Sequence, residues 1–199
     1  MAKGKIIFIF SVLAAMTLLF TASCSGPKHP KEIAMLDSLR VKLDSSEAAL
    51  ISIDSAKVTS AIEEVNIDLH EITVRFSKVT KDTVLNREAA TNMTKYRSVR
   101  KAFNAYKKEH VKLLKDIDYS QAQITNLIHD LEKNMIEEKD VLPFVEKERS
   151  EAMKTIQKTG MMVAAVKEML NRYDETRPKV KEYIEGLRAD EKGSNKRTK

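Results

Sequence analysis

Residues 31–142 form a stretch of 112 positions without a single glycine or proline. These are the two strongest local breakers of regular structure, so a run this long lacking both reads as helix. Apolar residues recur within it at spacings of three and four, the period of a buried helix face. Leu36, Leu39, Leu43 and Leu50 make a first stripe, and Val58, Ile62, Val65, Leu69, Ile72, Phe76 and Val79 a second. Met93, Tyr96, Val99, Phe103, Tyr106, His110, Leu113 and Ile117 make a third, continued by Ile124, Leu127, Leu131 and Met135. Beyond Pro143 a last stripe runs from Val145 through Ala152, Ile156, Val163, Val166, Leu170, Tyr173, Val180 and Ile184 to Leu187.

One unbroken helix over 31–142 would be about 170 Å long at 1.5 Å per residue, so the chain must turn without glycine or proline. The residues around 79–86 suit a turn: Thr80, Thr83 and Val84 are β-branched, and Asp82 and Asn86 can cap. A second turn is expected at 140–144, where Pro143 bars continuation. The expected fold is all-α: an elongated antiparallel three-helix coiled-coil bundle with helices over 31–79, 83–139 and 144–189. Local breaks are expected at Asp54, flanked by Ile53 and Val58 at hydrophobic-staple positions, and at Asp118, with a kink or restart at Pro178. A compact bundle of five or six shorter helices is the alternative. Residues 190–199, basic and nearly devoid of apolar side chains, read as a disordered tail.

The first 23 residues belong to targeting and not to the fold. Lys3 and Lys5 precede an uncharged apolar run over 6–20 that closes in the small Thr21, Ala22 and Ser23. That is the profile of a signal peptide, and the run is short of the about 20 residues a membrane-spanning helix needs. An uncleaved anchor is the alternative. Removal of the signal takes two lysines and leaves 33 basic against 29 acidic residues, so the net charge falls from +6 to +4. Cys24 is the only cysteine; no internal disulfide can form and stability must come from packing.

The run Leu19, Phe20, Thr21, Ala22, Ser23, Cys24 resembles the lipobox of bacterial lipoproteins, in the relaxed form familiar in Bacteroidota, with Thr21 where the usual box has leucine. The resemblance implies a diacylglycerol (palmitate-type) anchor on Cys24 and cleavage just before it. Ordinary secretion is the competing reading, because Thr21 and Ser23 also satisfy the small-x-small rule of soluble export. Residues 24–30 then form a spacer. Neither the aspartate that signals inner-membrane retention in enteric lipoproteins nor an early acidic run for surface display follows Cys24, so the resemblance implies the outer membrane, facing the periplasm. The mature chain also resembles the helical lipoproteins of Bacteroidota along its whole length.

His70, His110 and His129 invite a metal site, but no Glu stands three residues before any of them, as the di-metal bundles require. Folding near Asp82 would also separate His70 from His129 by roughly 50 Å. His110 reads as an interior histidine, His29 as a solvated spacer residue, and no metal or other cofactor is expected. Lys95, Arg97, Arg100, Lys101, Lys107, Lys108, Lys112 and Lys115 make one helix strongly basic, with Glu109 the only acid among them. It reads as a solvated face paired with acids of neighbouring helices, or as a contact for anionic headgroups or envelope glycans. Nucleic acid is not an expected partner of an exported chain.

Met153, Met161, Met162 and Met169 gather near Gly160, Ala164 and Ala165, where they read as adaptable packing, with Met162 a candidate to cover a partner surface. The triplets starting at Asp37, Asp54 and Asp82 resemble the Asp-Ser/Thr-apolar acceptor of Bacteroidota O-glycosylation, which makes Ser38, Ser55 and Thr83 candidate sites. Asp and Ser also gather at helix starts as caps. No nucleophile-elbow, phosphate-loop, zinc-protease or paired-cysteine motif occurs. The expected function is therefore non-enzymatic: a membrane-anchored helical module that meets another envelope protein or the cell wall. The alternative is a tether from membrane to peptidoglycan through the basic C-terminus ending in Lys199, as in the murein lipoprotein of enteric bacteria.

Overall fold

The computed structural model describes residues 27–76 and 87–197, with side chains through 193. The described residues hold four helices and no strand: α1 Pro30–Ile51, α2 Ser55–Phe76, α3 Arg87–Glu132 and α4 Glu138–Arg197. Both α1 and α2 pack on α3 and on α4 without touching each other, so they follow one another along the α3/α4 pair. Gln121 reaches Asp44 at 2.7 Å, Ser55 meets Tyr106 at 2.8 Å and Tyr96 meets Asp68 at 2.9 Å, so α3 descends as α1 and α2 rise. Lys57 meets Asp174 and Lys181 meets Asp68, so α4 rises with them. The turn residues 79–86 lie outside the described residues.

The break between α1 and α2 falls at Ser52–Asp54. The Asp54 carboxylate accepts the Lys57 amide at 2.8 Å and its carbonyl accepts the Val58 amide at 3.0 Å, so it caps the restart. Ile53 and Val58 are both buried beside it, as a staple would have them. The expected break at Asp118 is absent. α3 runs through it because Ile117, Ser120 and Ile124 keep the buried stripe in phase while Asp118 faces outward.

The second turn lies at 133–137 and not at 140–144. Asn134 takes a left-handed φ of 52°, and the Met135 amide closes onto the Asp130 carbonyl at 2.9 Å. Asparagine tolerates this conformation better than most residues, so the turn needs no glycine. Met135, the last member of its stripe, is exposed because α3 has already ended. Pro143 stands inside α4 between the buried Val141 and Val145, and Pro178 likewise causes no restart. Both prolines are on the exposed face, where the carbonyls that lose an intrahelical donor are open to solvent hydrogen bonds.

α4 also continues to Arg197 through residues expected to form a disordered tail. Long-range pairing accounts for the first part of this. Glu71 on α2 accepts Arg188 Nε at 2.7 Å and Arg188 Nη2 at 2.8 Å, and also Arg75 Nε at 2.6 Å. Arg75 in turn pairs with Glu191. The two arginines hold the Glu71 carboxyl at about 2, below its ordinary 4.5. A depressed carboxyl stabilises the fold above its unfolded pKa and loses that contribution as pH falls through the folded one. Acidification from pH 5 to pH 2 should therefore cost about 1–2 kcal/mol at this site, after allowance for solvent around the half-exposed Arg188. Glu71→Gln should be less stable at pH 7 and lose less over that interval in denaturant titrations. Equal acid slopes for the two proteins would refute the assignment.

Candidate functional site

Cys24, Thr83 and Lys199 lie outside the described residues. Ser38 is exposed on α1, next to the Asp37–Arg40 ion pair. Ser55 opens α2 and shares a hydrogen bond with the Tyr106 hydroxyl. His70 and His129 are exposed, and His110 lies half-buried with its ring 4.8 Å from that of Tyr106. His29 is not solvated: its side chain is 12 % exposed and faces Glu138 at 3.4 Å, joining the start of α1 to the start of α4. Among the described residues no group of three or more His, Cys, Asp or Glu side chains is placed to hold a metal ion.

The interior contains a polar layer. Asp68 is 1 % exposed, accepts the Tyr96 hydroxyl at 2.9 Å and receives Lys181 Nζ at 2.6 Å. The Tyr96 ring stacks on Tyr173 at 6.0 Å between centroids. Tyr173 donates to Glu64 at 2.8 Å, and Arg177 pairs with Glu64 at 2.6 Å while lying 5.8 Å over the Tyr173 ring. Burial first, and then the Asp68 carboxylate, pushes the Tyr96 hydroxyl well above its ordinary value; burial and Glu64 do the same to Tyr173. Both phenols therefore stay protonated and act as donors. The layer clamps α2, α3 and α4 in one register, the best-attested use of buried polar groups in helical bundles. Its sequence signal was an aspartate set three residues after Val65 and four before Ile72, inside an apolar row.

The surface of α3 is different in kind. Arg97, Arg100, Lys101, Lys107, Lys108, Lys112 and Lys115 all point outward over 19 residues, about 27 Å of helix. Lys95 is exposed as well. None of the eight makes an ion pair among the described residues, so the expected pairing with acids of neighbouring helices does not occur. On α4, by contrast, nine cations do: Lys139, Lys147, Arg149, Lys154, Arg172, Arg177, Lys179, Lys181 and Arg188. Like charges at i,i+3 and i,i+4, such as Arg97 with Lys101 and Lys108 with Lys112, repel by about 0.2–0.5 kcal/mol per pair. No ion pair among the described residues offsets that repulsion, and an anionic surface would relieve it.

Among the four grouped methionines, Met169 is buried, Met162 packs partly against the core, and Met153 and Met161 are exposed. Comparisons with protein families, curated proteins and solved structures find no match to this chain.

Proposed function

We propose that the chain is a non-enzymatic lipoprotein of the bacterial cell envelope, anchored through acylated Cys24 at the periplasmic face of the outer membrane. Its helical bundle binds another envelope protein or the cell wall. The observation that carries the interaction role is the contrast between the unpaired cations of α3 and the paired cations of α4. The lipobox-like run ending at Cys24 supports the anchor. No described helix is long and apolar enough to cross a membrane. The five residues from Cys24 to His29 reach at most about 18 Å, so an anchor at Cys24 would grip the bundle at the end where His29 meets Glu138.

We read the bundle as an antiparallel three-helix coiled coil whose first leg is broken at Asp54. The heptad-like spacing of Leu36, Leu39 and Leu43 and of Val58, Ile62 and Val65, all buried, favours this reading. Of the candidate glycosylation sites, Ser38 is favoured over Ser55, because a glycan on Ser55 would displace its hydrogen bond to Tyr106.

The test uses amine-independent photo-crosslinking in intact cells from a probe at Val111, which is exposed within the basic face. A higher-mass species is expected from the native chain and should disappear when Arg97, Lys108 and Lys115 are all changed to Glu. Reversal of Lys139, Lys147 and Lys154, on α4, serves as the charge-matched control. A crosslinking pattern indifferent to the α3 reversals would sink the interaction role.

The tether reading also has a specific support. α4 is 60 residues long and leaves from the His29 end, so its C-terminus stands about 90 Å away. Lys199 follows two residues beyond Arg197. Sacculi boiled in detergent should retain a C-terminal peptide of this chain if Lys199 is crosslinked to the wall; clean sacculi would dismiss the tether.

A further inference from the structure

Between α3 and α4 lies a shallow groove of about 350 Å³, and its walls are mostly apolar: Ala102, Ala105 and Leu113 from α3, Met161, Met162 and Ala165 from α4. Met161 is 66 % exposed and stands beside the other apolar residues of the groove, so that together they make an exposed apolar patch. The alanines leave room for a helix backbone to come close, within the 8–10 Å separation of packed helices. Methionine, unbranched and polarisable, adapts to whatever enters.

The rim carries the charge. Lys101, Lys108 and Lys112 stand four residues before, three after and seven after Ala105, on the same side of α3, and Lys158 stands three before Met161 on α4. All four lysines are exposed and make no ion pair among the described residues. Glu109 is the single acid of the lining. Apolar floor and cationic rim run together for about three helical turns, from Ala102 to Leu113.

We infer that this groove docks an acidic amphipathic helix of a partner protein. Apolar side chains spaced at i, i+3, i+4 and i+7 would enter between the alanines and the methionines, and flanking Glu or Asp residues would meet Lys101, Lys108, Lys112 and Lys158. A second helix packed there would add a fourth member to the three that cross this level of the bundle. A bilayer is a poorer fit: a flat surface meets the outward lysines but does not follow the groove between α3 and α4. The inference rests on the reading of the α3 face as a surface for an anionic partner, and it names that partner as a helix.

The probe is a synthetic amphipathic peptide of about three heptads, with Leu at the a and d positions and Glu elsewhere, titrated into the full mature chain. A second peptide has Lys in place of Glu. The acidic peptide is expected to bind with an affinity that falls as salt rises, and the basic one not to bind. Met161→Glu and Ala105→Glu should each weaken binding by at least about tenfold, as should combined reversal of Lys101, Lys108 and Lys112. Both groove positions are solvent-exposed, so thermal melts should match the native protein.

Sensitivity to the lysines with indifference to Met161 and Ala105 would overturn the groove while leaving the anionic-partner reading intact. No binding of the acidic peptide would overturn the groove too, and persistence of the Val111 crosslinks would then show that only this inference had failed. Two further results would contradict it: binding to anionic phospholipid vesicles that the peptide cannot displace, and self-association that Met161→Glu abolishes.

Discussion

Phe103→Ala is expected to cost about 4 kcal/mol and to lower Tm by roughly 8–16 °C, whereas Phe144→Ala should change stability by no more than about 0.5 kcal/mol. Both residues are phenylalanines on long helices, and their surroundings decide the difference. Phe103 is 0 % exposed in the middle of α3, where α2 and α4 close over it; Phe144 is 48 % exposed near the start of α4. Removing the Phe103 ring takes away its transfer energy and leaves a cavity that three packed helices can fill only in part. The bundle has no disulfide to limit the loss, because Cys24 has no partner in the chain. Urea unfolding of the two variants side by side gives the comparison. Equal losses would mean that the core is not centred where α3 crosses the other helices.

Asp68→Ala is expected to cost about 3 kcal/mol, although it replaces a polar residue with an apolar one in the interior. The Tyr96 hydroxyl, on a side chain with no exposed surface, would lose its acceptor, and Lys181 would lose the partner that draws it inward. Lys181→Met should be milder, because that side chain is 45 % exposed and Tyr96 still donates to the carboxylate. The informative variant removes the whole polar layer at this point: Asp68→Leu with Tyr96→Phe and Lys181→Met. It should recover most of the stability lost in Asp68→Ala, since no buried group is then left unpaired. What it should lose is register, seen as broadened amide resonances along α2. If Asp68→Ala proves neutral, the layer is not a structural clamp.

Much of this architecture can be read from the chain before any coordinates. The absence of glycine and proline over 31–142 and the spacing of Leu36, Leu39, Leu43 and their successors suffice for an all-helical bundle and most of its core. Asp54 could be read as a cap because its two signals, a carboxylate and flanking Ile53 and Val58, are local. Asp118 carries the carboxylate without the staple, and the buried stripe passes through it undisturbed. Pro143 misleads for a related reason. A proline on the wet side of a helix costs less than one facing the core, and only the tertiary position of Val141 and Val145 decides which side it takes. The turn itself rests on Asn134, an ordinary residue in an uncommon conformation. Composition also misjudged residues 190–193, because Glu191 is held by Arg75, 116 positions earlier in the chain.

The same division applies to function. The cations of α3 are evident in the sequence, but their lack of ion pairs among the described residues is a property of the folded bundle, as is the groove that pairs Ala105 with Met161. Asp68 hid in an apolar row where a single polar residue looks like noise. The proposed anchor stands apart from all of this, since it rests on the lipobox-like run ending at Cys24.

Mass spectrometry of the mature N-terminus from detergent-extracted membranes tests that anchor most directly. The expected result is an N-terminal peptide beginning at Cys24 and heavier than its sequence by a thioether-linked diacylglycerol, with or without a further N-acyl chain. An N-terminal Cys24 with a free, alkylatable thiol, recovered from a soluble fraction, would contradict it.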